Sequence, residues 1–362
     1  MIDPARRTYW PTQDWRLASP QEKGLQPELL AKMQVHITDD IPGLHGLLIV
    51  RDGYLVFEEY YQGFHRKSYN SVSSVTKSYI SALVGIALAQ GKLQSLDQKI
   101  LNFFPAYAAR VTDSRKQAIT LRHMLSLQTG FAHEMPDKFW LNPSPVQLTL
   151  ERPMIEQPGE VFYYDSNGVD ILSAILTRVT GMSAAAYADA TLFKTIGVWH
   201  DGAPRFTWRN DPQGVHLWHG DAYWDEKHGY LWKVDPEGNS AGGFGAHFTA
   251  REMAKFGYLY LNRGFWDGEQ LIPADYVAES TRQHSNGGAP VGDAYGYLWW
   301  LTQYKGHNVF FASGYGGKTI CVIPSLDLVV VTISSTDQEG KNAEQWPRIK
   351  ALVPDYIIPA LA

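Results

Sequence analysis

Residues 71–91 read SVSSVTKSYISALVGIALAQG: three serines in the first four positions, one lysine, then apolar or small side chains on every face until a glycine. Serine side chains can cap a helix start and glycine commonly ends one, so the stretch predicts a helix that begins near Ser74 and stops at Gly91. A helix apolar all round is buried. A lysine in the first turn of such a helix must be paired, functional or both, because an unpaired ammonium is unfavourable in the interior. Ser74 and Lys77 are three residues apart, just under one turn, so the hydroxyl and the ammonium fall side by side. Unpaired N–H groups and the positive end of the helix dipole also face an incoming oxyanion there. Ser-x-x-Lys alone arises by chance about once in a chain of this composition. A capped, surface-facing helix start carries the same residues; the apolar run behind Lys77 is what favours a nucleophile with its activator.

Outward from this helix, residues 46–64, GLLIVRDGYLVFEEYYQGF, hold two strand-like runs around Asp52-Gly53, a favoured tight-turn pair, and predict an antiparallel hairpin. Between about 95 and 240 the pattern is helical with long loops, as in LRHMLSLQ (121–128) and VDILSAILTRVTG (169–181). TAREMAKFGYLYLNRG (249–264) reads as a helix. After it YGYLWWLT, NVFFASG, KTICVIP and LVVVTIS read as successive strands. Strands at both ends and helices between predict an α+β fold, an antiparallel sheet built from the two termini and flanked by helices. Residues 1–95 and 240–362 would form the sheet domain and 96–239 an inserted, mainly helical one, with a cleft at their interface.

Composition narrows the function classes. A formal charge of −5 and the lack of any Lys/Arg-rich run give no basic field for nucleic acid. The single cysteine, Cys321, excludes an intrachain disulfide, and its ICVIP setting reads as a core strand thiol. The N-terminus MIDPARRTYWPTQDW lacks the apolar run of a secretory signal, and YISALVGIALA (79–89) is short of the roughly 20 residues that cross a bilayer. A cytoplasmic protein with no membrane partner is expected.

Two further stretches carry chemistry-bearing residues. PGEVFYYDSNG (158–168) sets a phenol, Tyr164, two residues before a hydroxyl, Ser166, so both can point the same way from an extended segment; Asp, Ser, Asn and Gly are also what an ordinary turn prefers. FFASGYGGKTICVIP (310–324) is a strand, a glycine-rich bend and a strand, in which Gly314, Gly316 and Gly317 allow close approach of backbone N–H groups to a ligand. As a phosphate loop it fails, since no Gly-Lys-Ser/Thr helix follows, and by itself it reads as a hairpin turn. HLWHGD (216–221) places His216 and His219 near Asp221, but no third ligand with metal-site spacing accompanies them, so a loop bordering the cleft is the expectation, with no metal. Within that loop Trp218, Tyr223 and Trp224, together with Trp140, can shape a substrate pocket.

In this order the three stretches resemble the serine β-lactamase and penicillin-binding-protein superfamily, in the branch of class C β-lactamases, family VIII carboxylesterases and 6-aminohexanoate-dimer hydrolases. The resemblance extends to ITLRHMLSLQTGF (119–131), the 240–273 stretch from SAGGFGAHFTAREM onward, and YGYLWW (295–300). It implies a β-lactamase-like fold, Ser74 as the acylated nucleophile, Lys77 as its partner and Tyr164 as the catalytic tyrosine, with no cofactor. The family's Tyr-x-Asn appears here as Tyr-x-Ser, with Ser166 orienting Lys77; a one-residue shift would make Asn167 the amide instead. The third motif, Lys-Thr-Gly or His-x-Gly in relatives, aligns with Ala312-Ser313-Gly314, which has no cation. Lys318-Thr319 follows inside the next strand and is read as coincidence. The implied oxyanion hole is the backbone N–H of Ser74 and of Tyr315, with Ser313, Gly314, Gly316 and Asn167 lining the substrate site.

No Gly-x-Ser-x-Gly elbow or histidine partner is present, so the base is Lys77, Tyr164 or the coupled pair. The expected activity is hydrolysis of small esters or amides through an acyl-Ser74. Without the third-motif cation, a β-lactamase or D-Ala-D-Ala peptidase is the weaker alternative. A non-catalytic binding protein on this scaffold is disfavoured by the joint presence of Ser74, Lys77 and Tyr164.

Overall fold

Asp52 and Gly53 both take positive φ, 51° and 80°, which suits the two-residue turn of a twisted hairpin. In the computed structural model they join β1 (Leu44–Arg51) to β2 (Tyr54–Tyr60). Residues 4–133, 142–199, 230–335 and 341–361 are described by the structure. The other five strands of the sheet come from the far end of the chain: β3 (Ala294–Tyr295), β4 (Trp300–Tyr304), β5 (His307–Gly314), β6 (Lys318–Ile323) and β7 (Leu328–Ser334). Their order is β2-β1-β7-β6-β5-β4-β3, with every neighbouring pair antiparallel. The two chain ends meet where β1 pairs with β7, Ile49 opposite Val330. The central strands β6 and β7 are buried along their whole length, as strands covered on both faces must be.

One strand assignment is corrected. YGYLWWLT is not a single strand: Tyr295 ends β3, Leu298 turns the chain at φ 61°, and β4 starts at Trp300. The Gly296 N–H bonds the Trp299 carbonyl at 2.8 Å across that tight hairpin.

Helix α1 spans Pro27–Asp40, α2 Thr76–Ala89, α3 Gly168–Thr180 and α4 Ala250–Leu261. Helix α4 starts with a reciprocal cap between Thr249 and Glu252 and lies on the sheet. It comes close because residue 257 is glycine: a Cβ there would stand 2.7 Å from Ile320 and from Val329. Helix α2 is buried at every position from Thr76 to Ala87, with Tyr79 stacked on Phe248 and Phe256. Its start differs from the sequence reading. A 3₁₀ turn, Ser73–Val75, precedes the α-helix, and no side chain caps either element. Ser73 sits at φ 47° and its carbonyl accepts a 2.7 Å bond from Thr76 Oγ1, so threonine closes the turn that serine was expected to cap. The helix ends as expected, with Gly91 at φ 68°.

Cys321 is buried on β6, and burial pushes its thiol up to about 12, so it is a core side chain. Among the described residues no single helix is long and apolar enough to cross a membrane.

Candidate active site

The 3₁₀ turn ahead of α2 places Ser74 at the mouth of the helix and Lys77 in its first turn. The three-residue spacing gives the expected contact: Lys77 Nζ lies 2.9 Å from Ser74 Oγ. Two more acceptors complete the ammonium's bonds, Ser166 Oγ at 3.0 Å and the Gly243 carbonyl at 2.6 Å. Lys77 is 1% exposed. Burial pulls its pKa down to about 7, against the opposing influence of Asp170 and Asp165.

The segment between the Pro158-Gly159 turn and α3 delivers Tyr164 and Ser166 to the same point. Burial pushes the Tyr164 phenol up, and a hydrogen bond to Ser74 partly offsets this. The Lys77 ammonium stands 4.7 Å from the Tyr164 ring centroid. The ring is held from behind, stacked on Trp300 at 5.5 Å with Tyr295 edge-on at 6.4 Å. Asp165, between the two functional side chains, points inward to a buried ion pair with Arg152 and accepts the Gly168 N–H at 3.0 Å. That fixes the bend from which Tyr164 and Ser166 project. Of Ser166 and Asn167, the two residues the sequence offered beside Tyr164, Ser166 is the one bonded to Lys77. Asn167 is buried, and among the described residues its Oδ1 has no hydrogen-bond partner.

The third stretch closes the site from the sheet. A Cβ on Gly314 would run into the Val72 carbonyl and come within 3.3 Å of Ser73 Cβ, so only glycine lets β5 press against the turn that carries Ser74. Tyr315 follows, 53% exposed, at the bend into β6. Gly316 at φ 87° and Gly317 at φ 100° complete the bend, and the Gly316 carbonyl accepts from Ser334 Oγ at 2.6 Å. Ser313 pairs with Thr319 on the neighbouring strand. Lys318 opens β6, is buried, and donates to the Tyr315 carbonyl at 3.1 Å. Trp140, Trp218, Tyr223, Trp224, His216, His219 and Asp221 lie outside the described residues.

Three contributors went unread in the sequence. The Gly242-Gly243 turn supplies the Lys77 acceptor, Asp170 in the first turn of α3 holds that turn through both N–H groups, and Trp300 backs Tyr164. Asp170 had a usable signal: a carboxylate inside the apolar run VDILSAIL poses the same question as Lys77 does inside its own helix. The glycine turn had none, because a carbonyl acceptor leaves no trace in residue type.

The family model described as Beta-lactamase matches residues 30–353. The chain belongs to the β-lactamase family. Among curated proteins of this kind, 6-aminohexanoate-dimer hydrolase of Paenarthrobacter ureafaciens is 23% identical over 334 residues, covering 85% of this chain and 75% of that one. Esterase EstB of Burkholderia gladioli is 23% identical over 270 residues, 63% and 65% of the two chains. Among solved structures, EstCE1, a hydrolase with promiscuous acyltransferase activity, aligns at a TM-score of 0.69 and 18% identity over 92% of this chain and 100% of that one. The fold is that of the β-lactamase family, an antiparallel sheet with flanking helices, and the family is of the serine-hydrolase type.

Proposed function

We propose that this β-lactamase-family protein hydrolyses small, uncharged ester or amide substrates through an acyl-enzyme on Ser74, with Lys77 as base and Tyr164 as proton donor. The observation that carries it is the 2.9 Å contact between Lys77 Nζ and Ser74 Oγ, with two further acceptors around the same nitrogen. A neutral amine has two hydrogens and one lone pair. The Gly243 carbonyl can only accept and Ser166 can accept, so the two hydrogens go there and the lone pair faces the Ser74 hydroxyl. Depression to about 7 makes that neutral amine available near neutral pH. The Tyr164 phenol, pushed up by burial, keeps its proton there.

Ser74 Oγ attacks the carbonyl carbon as its proton moves to Lys77, and the oxyanion is received by the Ser74 and Tyr315 N–H groups. On collapse the bond to the leaving group breaks and Tyr164 gives that group its proton, while the Lys77 ammonium restores the phenol. Water then attacks the acyl carbonyl and gives a proton to the Lys77–Tyr164 pair; as the bond from the acyl carbon to Ser74 Oγ breaks, that proton passes to Ser74 Oγ and the acid product leaves. With Ala312-Ser313-Gly314 as the third motif, as the resemblance implies, its first position holds no cation to anchor a carboxylate-bearing substrate such as a β-lactam.

The test is labelling with a fluorophosphonate, read by intact mass, beside turnover of short p-nitrophenyl esters. The wild type should gain one adduct and Ser74→Ala none. A wild type that neither labels nor turns over these esters removes the hydrolase reading and leaves a binding protein.

A further inference from the structure

Asp170 has no part in the steps above, yet it is a carboxylate buried to 7% exposure in the first turn of α3. An interior carboxylate is unfavourable unless donors meet it. Two do, both at Oδ1: the N–H of Gly242 at 2.7 Å and of Gly243 at 3.2 Å. Gly243, held by its N–H, in turn holds Lys77 by its carbonyl at 2.6 Å. The turn sits directly on the segment that bears Ser166 and Asp170. A Cβ on Gly242 would run into the Val169 carbonyl, and one on Gly243 into the Ser166 carbonyl. Ser240, just before the turn, is tied down as well, its carbonyl accepting from Ser173 and its hydroxyl from the Ala185 N–H at 3.0 Å.

We propose that Asp170 is a positioning residue for the reaction: by gripping the Gly242-Gly243 turn it fixes the carbonyl that orients Lys77, and its charge biases the lysine's protonation. The inference rests on the reading of Lys77 as the activator of Ser74. With the turn loosened, the amine loses one of its two fixed acceptors and its lone pair is free to rotate away from the hydroxyl. The charges involved are few. Lys77 faces Asp170 and Asp165, with the Tyr164 ring over it, and Asp170 faces Lys77 and Asp235. Burial raises Asp170 and lowers Lys77, while each charge favours the charged form of the other, so the two groups titrate as a coupled pair.

Two substitutions separate the grip from the charge. Asp170→Asn keeps an oxygen that can accept both N–H groups and removes the charge, whereas Asp170→Ala removes both. On a p-nitrophenyl ester, Asp170→Ala should lose about 100-fold in kcat with KM little changed, the scale of a misplaced catalytic group. Asp170→Asn should keep kcat within a few-fold at alkaline pH, with the acid limb of kcat/KM moved down by about one pH unit, because the ammonium has lost a neighbouring anion. Wild-type kcat in Asp170→Ala, or an acid limb in Asp170→Asn unmoved from wild type, overturns the proposal. Should Asp170→Ala not fold, by circular dichroism, the Asp170→Asn profile decides alone. Fluorophosphonate labelling of the wild type is run alongside: no label sinks the hydrolase reading itself, whereas normal label with an unmoved Asp170→Asn limb sinks only the role of Asp170.

Discussion

In the mechanism proposed above Lys77 takes the Ser74 proton only when it is neutral, and its surroundings decide when that is. Desolvation disfavours the ammonium, and the carboxylates of Asp170 and Asp165 oppose it, with a balance near 7. The lysine pKa is depressed, so the competent amine is absent well below 7 and present well above. kcat/KM should therefore rise as pH rises through about 7. Tyr164 is shifted upward, so no alkaline loss is expected below the ordinary tyrosine range of about 10. A pH–rate profile with its acid limb near the ordinary carboxylate range of about 4 would remove Lys77 as the base. Lys77→Ala and Tyr164→Phe should each lower kcat by roughly 10²- to 10⁴-fold. Near-normal turnover in either variant takes that residue out of the mechanism.

Two glycines let elements approach each other, with different consequences. Gly257 allows α4 onto β6 and β7, and Gly314 allows β5 onto the turn that carries Ser74. Gly257→Ala should cost about 1–3 kcal/mol of stability by overpacking while kcat of the folded enzyme stays the same. Gly314→Ala should move β5 off the Val72 carbonyl and lower kcat/KM by about 100-fold. Urea unfolding and steady-state kinetics on both variants check the contrast; equal activity losses would mean that β5 does not set the site. The element reading of the sequence worked where periodicity and turn chemistry agree, as in the Asp52-Gly53 hairpin and in α4 with its Thr249–Glu252 cap. It failed at YGYLWWLT, because an aromatic run carries no mark of the left-handed Leu298 that splits it, and at the head of α2, where Ser73 takes a positive φ and Thr76 supplies the hydrogen bond.

Over the whole molecule, the first residues are stapled to the last strands. Arg7 meets Asp327, in the turn between β6 and β7, at 2.9 and 2.5 Å, and reaches Asn262 at the end of α4 at 2.8 Å. The pair is 8% and 10% exposed, so removing the arginine leaves a nearly buried carboxylate unmatched. Arg7→Ala should destabilise by about 3 kcal/mol in urea unfolding without changing kcat/KM of the folded enzyme; an unchanged midpoint would mean that the N-terminal segment does not contribute. Nothing local announces this pair, since its partners are 320 residues apart. What the sequence determined by itself was the α+β architecture, through hydrophobic periodicity and turn residues, and the contact of Ser74 with Lys77, because side chains three residues apart on a helical turn lie side by side. The tertiary structure alone decided what surrounds them. The Gly243 carbonyl and the Asp170 contacts behind it, the bond from Lys77 to Ser166, and the burial that brings Lys77 near neutrality all come from chain segments far apart in sequence. Residue type records which groups are present; desolvation and hydrogen-bond geometry depend on which groups folding brings within 3 Å of one another.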